Sequence, residues 1–192
     1  MPGARPELLE ELRALVAGLR ADMRSRWDRD LPIGELLSDR WERARELGFG
    51  EGTSIYDSAV VLFDVRVGAG TWIGPWVLLD GRGGLEIGDH CSVSAGVQVY
   101  THDTVEWALT GGRAGYATSP VRIGSCSHLG ARSTILAGVT VGHHCVVGAH
   151  SLVNSDLAPY TVAFGTPARP RGRVVVDEGA VTARVVLDGG AG

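Results

Sequence analysis

Apolar residues in the central part of the chain return every six positions. From Val67 the sequence divides into VGAGTW, IGPWVL and LDGRGG; after Leu85 and Glu86 it continues as IGDHCS, VSAGVQ and VYTHDT. From Ile123 it resumes as IGSCSH, LGARST, ILAGVT, VGHHCV, VGAHSL and VNSDLA. All twelve first positions are Val, Ile or Leu, and seven of the twelve second positions are Gly. The fifth position is small or β-branched except at Asp103 and Leu157. A weaker continuation runs back through Val61 and Ile55 to Phe49. A period of six matches neither the 3.6 of an α-helix nor the 2 of an alternating strand. It matches a short strand followed by a tight corner, with one aliphatic and one small residue turned inward. Three such units close a triangular coil of about 18 residues, and coils stack at the ~4.8 Å strand spacing. The pattern therefore predicts an all-β chain built as a parallel β-helix, about five coils from Phe49 to Val153. The glycines are expected at corners where a side chain would strain the backbone.

Two insertions break the register, and insertions into a repeat are where function is grafted. The small one is read as Leu85-Glu86. The large one lies between Val99 and Ile123, where 24 residues stand in place of six. It predicts a protruding loop over residues 103–122, with His102 and Asp103 at its root, Trp107 in its body and Tyr116 near its return. Ahead of the β-helix, Pro6 to Met23 places Leu8, Leu12, Leu15, Leu19 and Met23 on one helical face, and Gly34 to Leu47 does the same for Leu37, Trp41 and Ala44. Residues 1–48 are thus expected as a helical segment capping the solenoid, residues 49–165 as the β-helix, and 166–192 as a C-terminal extension with a disordered tip.

Composition narrows the function. The 192 residues carry 18 Lys+Arg against 22 Asp+Glu with no basic stripe, which speaks against a nucleic-acid surface. No apolar run approaches the ~20 residues of a membrane span. The first residues are interrupted by acids, unlike a signal peptide, and three sparse cysteines suit a reducing cytoplasm. Cys91 and Cys145 share a repeat position two coils apart, too far for a disulfide, and read as small core fillers.

The hexapeptides, the loop opening YTHDTVEWALTGG and the ending GVTVGHHCVVGAHSLVNSDLAPYTVAFGTPARP together resemble the hexapeptide acyltransferases. The nearest resemblance is to maltose/galactoside O-acetyltransferases and the O-acetyltransferases of surface polysaccharides. It covers Ile55 to about Arg169. It implies a left-handed β-helix, a homotrimer with active sites between adjacent subunits, acetyl-CoA as co-substrate, and a saccharide or other small-molecule acceptor. It also implies that the loop histidine, His102, deprotonates the acceptor hydroxyl. That role has independent chemical sense, since a hydroxyl attacks only as its proton leaves and imidazole titrates near neutral pH. The resemblance puts backbone amides for the thioester oxyanion and the cysteamine arm at Ala131 and Ala149. It puts Asp80 at an acidic position that contacts the sugar or orients the base, with Asp103 as the competing residue. Trp107, like Trp76, is a candidate for stacking on a sugar ring. The family commonly has an aromatic where His128 stands and a lysine where Ser155 stands beside the CoA phosphates. Arg132, Arg169, Arg171 and Arg173 offer the positive charge instead.

Other readings stay open at this point. A zinc carbonic anhydrase of the same fold needs three converging histidines. His144 and His150 hold the same position in successive hexapeptides and so point from different faces; no metal is expected. A scaffold or sugar-binding β-helix without chemistry, and an acetyltransferase acting on an amine of an amino sugar or xenobiotic, both remain compatible with the sequence.

Overall fold

The computed structural model describes residues 5–179 and 181–189; the extreme C-terminal residues expected to be disordered lie outside that range. The six-residue period becomes a left-handed parallel β-helix. One face stacks six parallel rungs: Ser54–Ile55, Trp72–Ile73, Ser92–Val93, His128–Leu129, Val146–Val147 and Thr161–Gly165. The sixth rung extends the stack beyond the five coils read from the repeat. A second face stacks Val60 and Val61 on Leu78 and Leu79, then Gln98–Val99, Thr134–Ile135 and Leu152–Val153. The third joins Val65 to Val67, Leu85 to Ile87, Val121–Ile123 and Thr140–Val141.

Every first-position aliphatic from Val67 to Val153 is buried, so the core is a set of columns running along the axis. The small fifth position has a second cause besides space. Thr53, Thr71 and Ser127 each donate a hydroxyl hydrogen bond to the second-position carbonyl of the next coil, Gly68, Gly88 and Gly142. Cys91 and Cys145 continue the column with buried free thiols. Burial pushes both thiols above their ordinary range, as inert core sulfur requires.

The second-position glycines fall where a side chain would clash, as expected, but their own backbone is not the left-handed one. The left-handed backbone falls at the fourth position, where Trp76, His90, Cys126, Arg132, His144 and His150 have φ between 53° and 60°. The second-position glycines are not left-handed; they lie against the next coil. A Cβ on Gly130 would sit 2.5 Å from the Ala149 nitrogen and 2.6 Å from the Val147 oxygen, both backbone atoms that cannot move aside. Gly130→Ala is therefore expected to cost about 1–3 kcal/mol through overpacking, while Gly18→Ala, in an open helix position, should gain up to ~1 kcal/mol. Thermal unfolding of the two variants beside the wild type checks the pair.

The N-terminal segment forms three helices, Pro6–Trp27, Ile33–Leu37 and Arg40–Glu46. The single helix expected from Gly34 to Leu47 is broken because Asp39 caps a new one, accepting from the N–H groups of Trp41 and Glu42. These two short helices brace the first coil. The carboxylate of Glu35, 6% exposed, accepts from Asp57 N, Ser58 N and the Ser58 hydroxyl. Arg43 donates to the carbonyls of Tyr56 and Ala59. Of the expected inward trio, only Ala44 is buried; Leu37 and Trp41 are exposed. The first helix buries no residue, and Leu8, Leu12 and Leu15 remain exposed in the single chain. At the other end, Ala168–Asp177 and Thr182–Leu187 form a hairpin that continues the first face antiparallel to Thr161–Gly165.

The small insertion also lies elsewhere than Leu85-Glu86. Phe63 pairs with Gly81 but Val65 pairs with Leu85, so the offset between the strands grows between those pairs. Leu85 is 1% exposed and aligned with Val65 and Val121. The extra residues are in the Arg82-Gly83-Gly84 stretch. A repeat with two neighbouring aliphatics admits either placement from sequence; the strand pairing decides it.

Candidate active site

The large insertion leaves and rejoins the β-helix at one corner, where Ser119 N donates to the Thr101 carbonyl. It is an ordered excursion: His102–Asp103 pairs antiparallel with Ala117–Thr118, and Val105–Leu109 is a short helix. His102 thus stands where the chain departs from the coil, held by a two-residue ladder.

Asp80 lies directly beneath it on the preceding coil and is 1% exposed. Its Oδ2 lies 2.6 Å from His102 Nδ1 and accepts from Thr101 N at 2.9 Å. Its Oδ1 accepts from Arg82 N at 3.2 Å. Burial works to raise the Asp80 pKa, but hydrogen bonds from Thr101, His102 and Arg82 outweigh it and hold the carboxyl below its ordinary value. An ionised Asp80 fixes the Nδ1–H tautomer of His102 and leaves Nε2 with a lone pair. Nε2 makes no hydrogen bond among the described residues. The Thr101 hydroxyl, within 2.9 Å of the Asp80 carbonyl, also accepts from Gly83 N, tying the insertion to the base. Glycine is required at 83, since a Cβ there would meet the Thr101 oxygen at 2.5 Å.

Of the two acidic candidates, Asp80 and not Asp103 sits against the histidine. Asp103 is exposed and its Oδ1 accepts from Val105 N, shaping the loop. Trp107 stands beside the site, its ring 6.2 Å from that of Tyr116, which in turn is 6.4 Å from the His102 ring. Trp76 is on another corner, in the column of Gly96, Arg132 and His150. Sequence reasoning did not include Arg82, Phe63 or Thr101. Only the odd two-residue insertion signalled this region.

The residues expected to hold the co-substrate divide between two corners. Ala131 and Ala149 are adjacent rungs of one corner, and their N–H groups donate to no acceptor among the described residues. Arg132 is exposed beside them. The turn after Thr161–Gly165 continues that corner, because Gly165 N donates to Ser151 Oγ and the Thr166 hydroxyl to the His150 carbonyl. Arg169 follows this turn, exposed. Ser155 instead follows Leu152–Val153 and lies on the His102 corner, two rungs further on. Within one chain, then, His102 and the unpaired amides stand at opposite ends of the second face.

The histidines do not converge. His144 precedes the first face and His150 the second, and His144 is hydrogen-bonded to His143 at 3.0 Å and stacked on Tyr160. Among the described residues no three His, Cys, Asp or Glu side chains come together as a metal site. No helix among them is long and apolar enough to cross a membrane.

Residues 120–155 match the family model for the bacterial transferase hexapeptide, six repeats. Over those residues the chain is similar to the hexapeptide repeat of bacterial transferases. A hexapeptide-repeat acetyltransferase of Vibrio cholerae is 29% identical with a TM-score of 0.63, covering 88% of this chain and 94% of that one; that protein has also been solved with acetyl-CoA. A maltose O-acetyltransferase of Clostridium difficile is 26% identical at a TM-score of 0.58, covering 87% and 88%. An N-acyltransferase of Bacillus cereus, solved with dTDP and coenzyme A, is 26% identical at 0.60, covering 65% and 72%. The curated relatives it matches bear acetyltransferase names, but this hexapeptide-repeat chain spans only 18% and 49% of the length of the first two.

Proposed function

We propose that this chain is an acetyl-CoA-dependent O-acetyltransferase acting on a hydroxyl of a saccharide, with His102 as general base and Asp80 as the residue that positions it. The observation that carries the reading is the 2.6 Å contact between a buried, ionised Asp80 and His102 Nδ1. It produces an imidazole whose remaining nitrogen is free to take a proton at the mouth of an aromatic-walled loop. In the proposed reaction the acceptor oxygen attacks the thioester carbonyl while Nε2 takes its proton. The C–S bond then breaks, and the thiolate leaves with the proton returned from His102. No covalent enzyme intermediate is needed, and among the described residues no Ser or Cys hydrogen-bonds to the His102 ring. The unpaired amides of Ala131 and Ala149 suit a developing oxyanion and the pantetheine arm. Since they occupy a different corner from His102, the proposed site is completed by a second copy of the chain, in keeping with a homotrimer.

The likeness to an N-acyltransferase supports a second reading, transfer to an amine on an amino sugar. Incubation with acetyl-CoA and a panel of neutral and amino sugars separates the two. Free thiol appears in both cases, but an ester product releases acetate in mild base and an amide does not. For the co-substrate end, Arg169→Glu is expected to raise the KM for acetyl-CoA about tenfold through lost phosphate attraction. An unchanged KM removes Arg169 from the CoA groove and leaves Arg132, Arg171 and Arg173.

A further inference from the structure

The base described above has a cation beside it that the proposed chemistry does not use. Arg82 projects from the two-residue insertion between the glycines at 81 and 83. Its guanidinium lies 4.5 Å from the Tyr116 ring centroid and 5.3 Å from that of Phe63. Tyr116 is also the ring that faces His102 and Trp107. Arg82 therefore stands one tyrosine ring from the imidazole. Its side chain makes no hydrogen bond or ion pair among the described residues. The nearby strand carboxylates are engaged elsewhere: Asp64 with Arg66, Glu86 with Arg122, and Asp80 with His102.

Several features show that this placement is built. Phe63 is 64% exposed and has φ of 61°, a conformation disfavoured for a bulky aromatic residue. It contributes nothing to the core, yet it is held where its ring meets Arg82. Gly81 packs against the Asp64 backbone and Gly83 against the Thr101 backbone, so neither position admits a side chain. The insertion, the matching irregularity at Phe63 and Val65, and the loop that brings Tyr116 all converge on one guanidinium. Rings against a guanidinium occupy its faces and leave its N–H edges available. Those edges form the planar fork that binds carboxylate or phosphate oxygens in pairs.

We infer that Arg82 is a specificity-determining residue that recognises an anionic group on the acceptor, so that the acceptor is a saccharide carrying a carboxylate or a phosphate. The inference rests on the acetyltransferase reading only in naming the ligand as the acceptor. The aromatic wall of Tyr116 and Trp107 receives the apolar face of the sugar ring, Arg82 fixes its charged end, and a hydroxyl is left against His102.

The test measures equilibrium binding of glucose, glucuronate and glucose 6-phosphate to the full chain by NMR titration, in the wild type, Arg82→Gln and Arg82→Lys. Thiol release from acetyl-CoA is followed with the same sugars. The wild type is expected to bind at least one anionic sugar about tenfold or more tightly than glucose, with a preference that shrinks as salt is added. Which anion wins separates carboxylate from phosphate recognition. In Arg82→Gln the ratio of anionic to neutral affinity, and the matching ratio of kcat/KM, falls toward one; Arg82→Lys recovers only part of it. A merely structural Arg82 would weaken all three sugars alike and leave the ratio unchanged, which overturns the inference, as does a wild type that binds the three equally. Anion preference without thiol release from any acceptor supports Arg82 while removing the acetyltransferase reading. Release with glucose but no advantage for either anion does the reverse.

Discussion

Replacing His102 by alanine is expected to lower kcat for acceptor-dependent thiol release by about 10²–10⁴-fold, roughly 3–5 kcal/mol of barrier. The size follows from what the imidazole supplies. A sugar hydroxyl is a poor nucleophile until its proton leaves, and among the described residues no other histidine is held by a buried carboxylate. The loss should fall on kcat, with the Kd for acetyl-CoA little changed, because the unpaired amides of Ala131 and Ala149 lie on another corner of the chain. His102 is only partly buried and its ladder to Thr118 is backbone, so the variant should fold with a near-native melting temperature. Parallel calorimetry of acetyl-CoA binding and steady-state kinetics checks both halves. A variant that keeps within threefold of wild-type kcat would remove His102 as the base.

The second large effect is expected at Asp80. Asp80→Asn keeps the size of the side chain but replaces a carboxylate that accepts from several donors. An amide NH₂ in place of Oδ2 faces both His102 Nδ1, reversing the tautomer, and Thr101 N, where two donors collide; in place of Oδ1 it faces Arg82 N, another donor. Turnover should fall by about 10–10³-fold, as for other carboxylates that orient a catalytic histidine. A positioning role predicts that Asp80→Glu recovers little, since the distance is set by two adjacent coils. The same change has a pH signature in stability. The folded-state pKa of Asp80 is depressed, so its contribution is fully present above the unfolded carboxylate value near ~3.9 and is lost as pH falls through the folded value. Between wild type and Asp80→Asn, the stability difference should therefore be constant above about pH 5 and narrow below pH 4. Acid titration of unfolding free energy measures this; a difference independent of pH would mean that Asp80 is not held ionised.

Much of the architecture was legible because the β-helix stores its long-range order locally. Each coil repeats the last, so the column Val67, Ile73, Leu79 through Val153 can be read as a period without knowing which rungs touch. The sixth rung escaped because Val162 and Ala163 belong to a segment without the glycine signature. The cause of the corner glycines is only half legible for a related reason. Glycine frequency marks where a side chain cannot fit, and here the obstacle is the neighbouring coil. The left-handed turn one step later tolerates Trp, His, Cys and Arg, and leaves no compositional trace. The first helix shows the opposite limit: its apolar positions follow a helical period, but in the single chain Leu8, Leu12 and Leu15 stay exposed and Leu19 and Met23 are only partly covered.

The site was legible where it interrupts the period. His102 was found because the loop breaks the repeat, and Asp80 because the resemblance marks an acidic position one coil earlier. The choice between Asp80 and Asp103 needed the structure. Adjacent residues in a strand point to opposite sides, and only the stacking of coils shows which carboxylate lies beneath the ring. Phe63, Arg82 and Tyr116 are far apart in sequence and have ordinary surroundings in it. They meet because coils place residues one turn apart side by side and because the insertion turns Arg82 outward.

The most direct test of the central claim is the reaction of wild-type protein with acetyl-CoA across the sugar panel, following free thiol and the acetylated product together. Thiol release that depends on an acceptor is expected, with the acetate recovered on a sugar oxygen as a base-labile ester and lost in His102→Ala. No acceptor-stimulated release, with no binding of acetyl-CoA, would contradict it and leave a β-helix scaffold in its place; an amide product would contradict the hydroxyl acceptor while keeping the base.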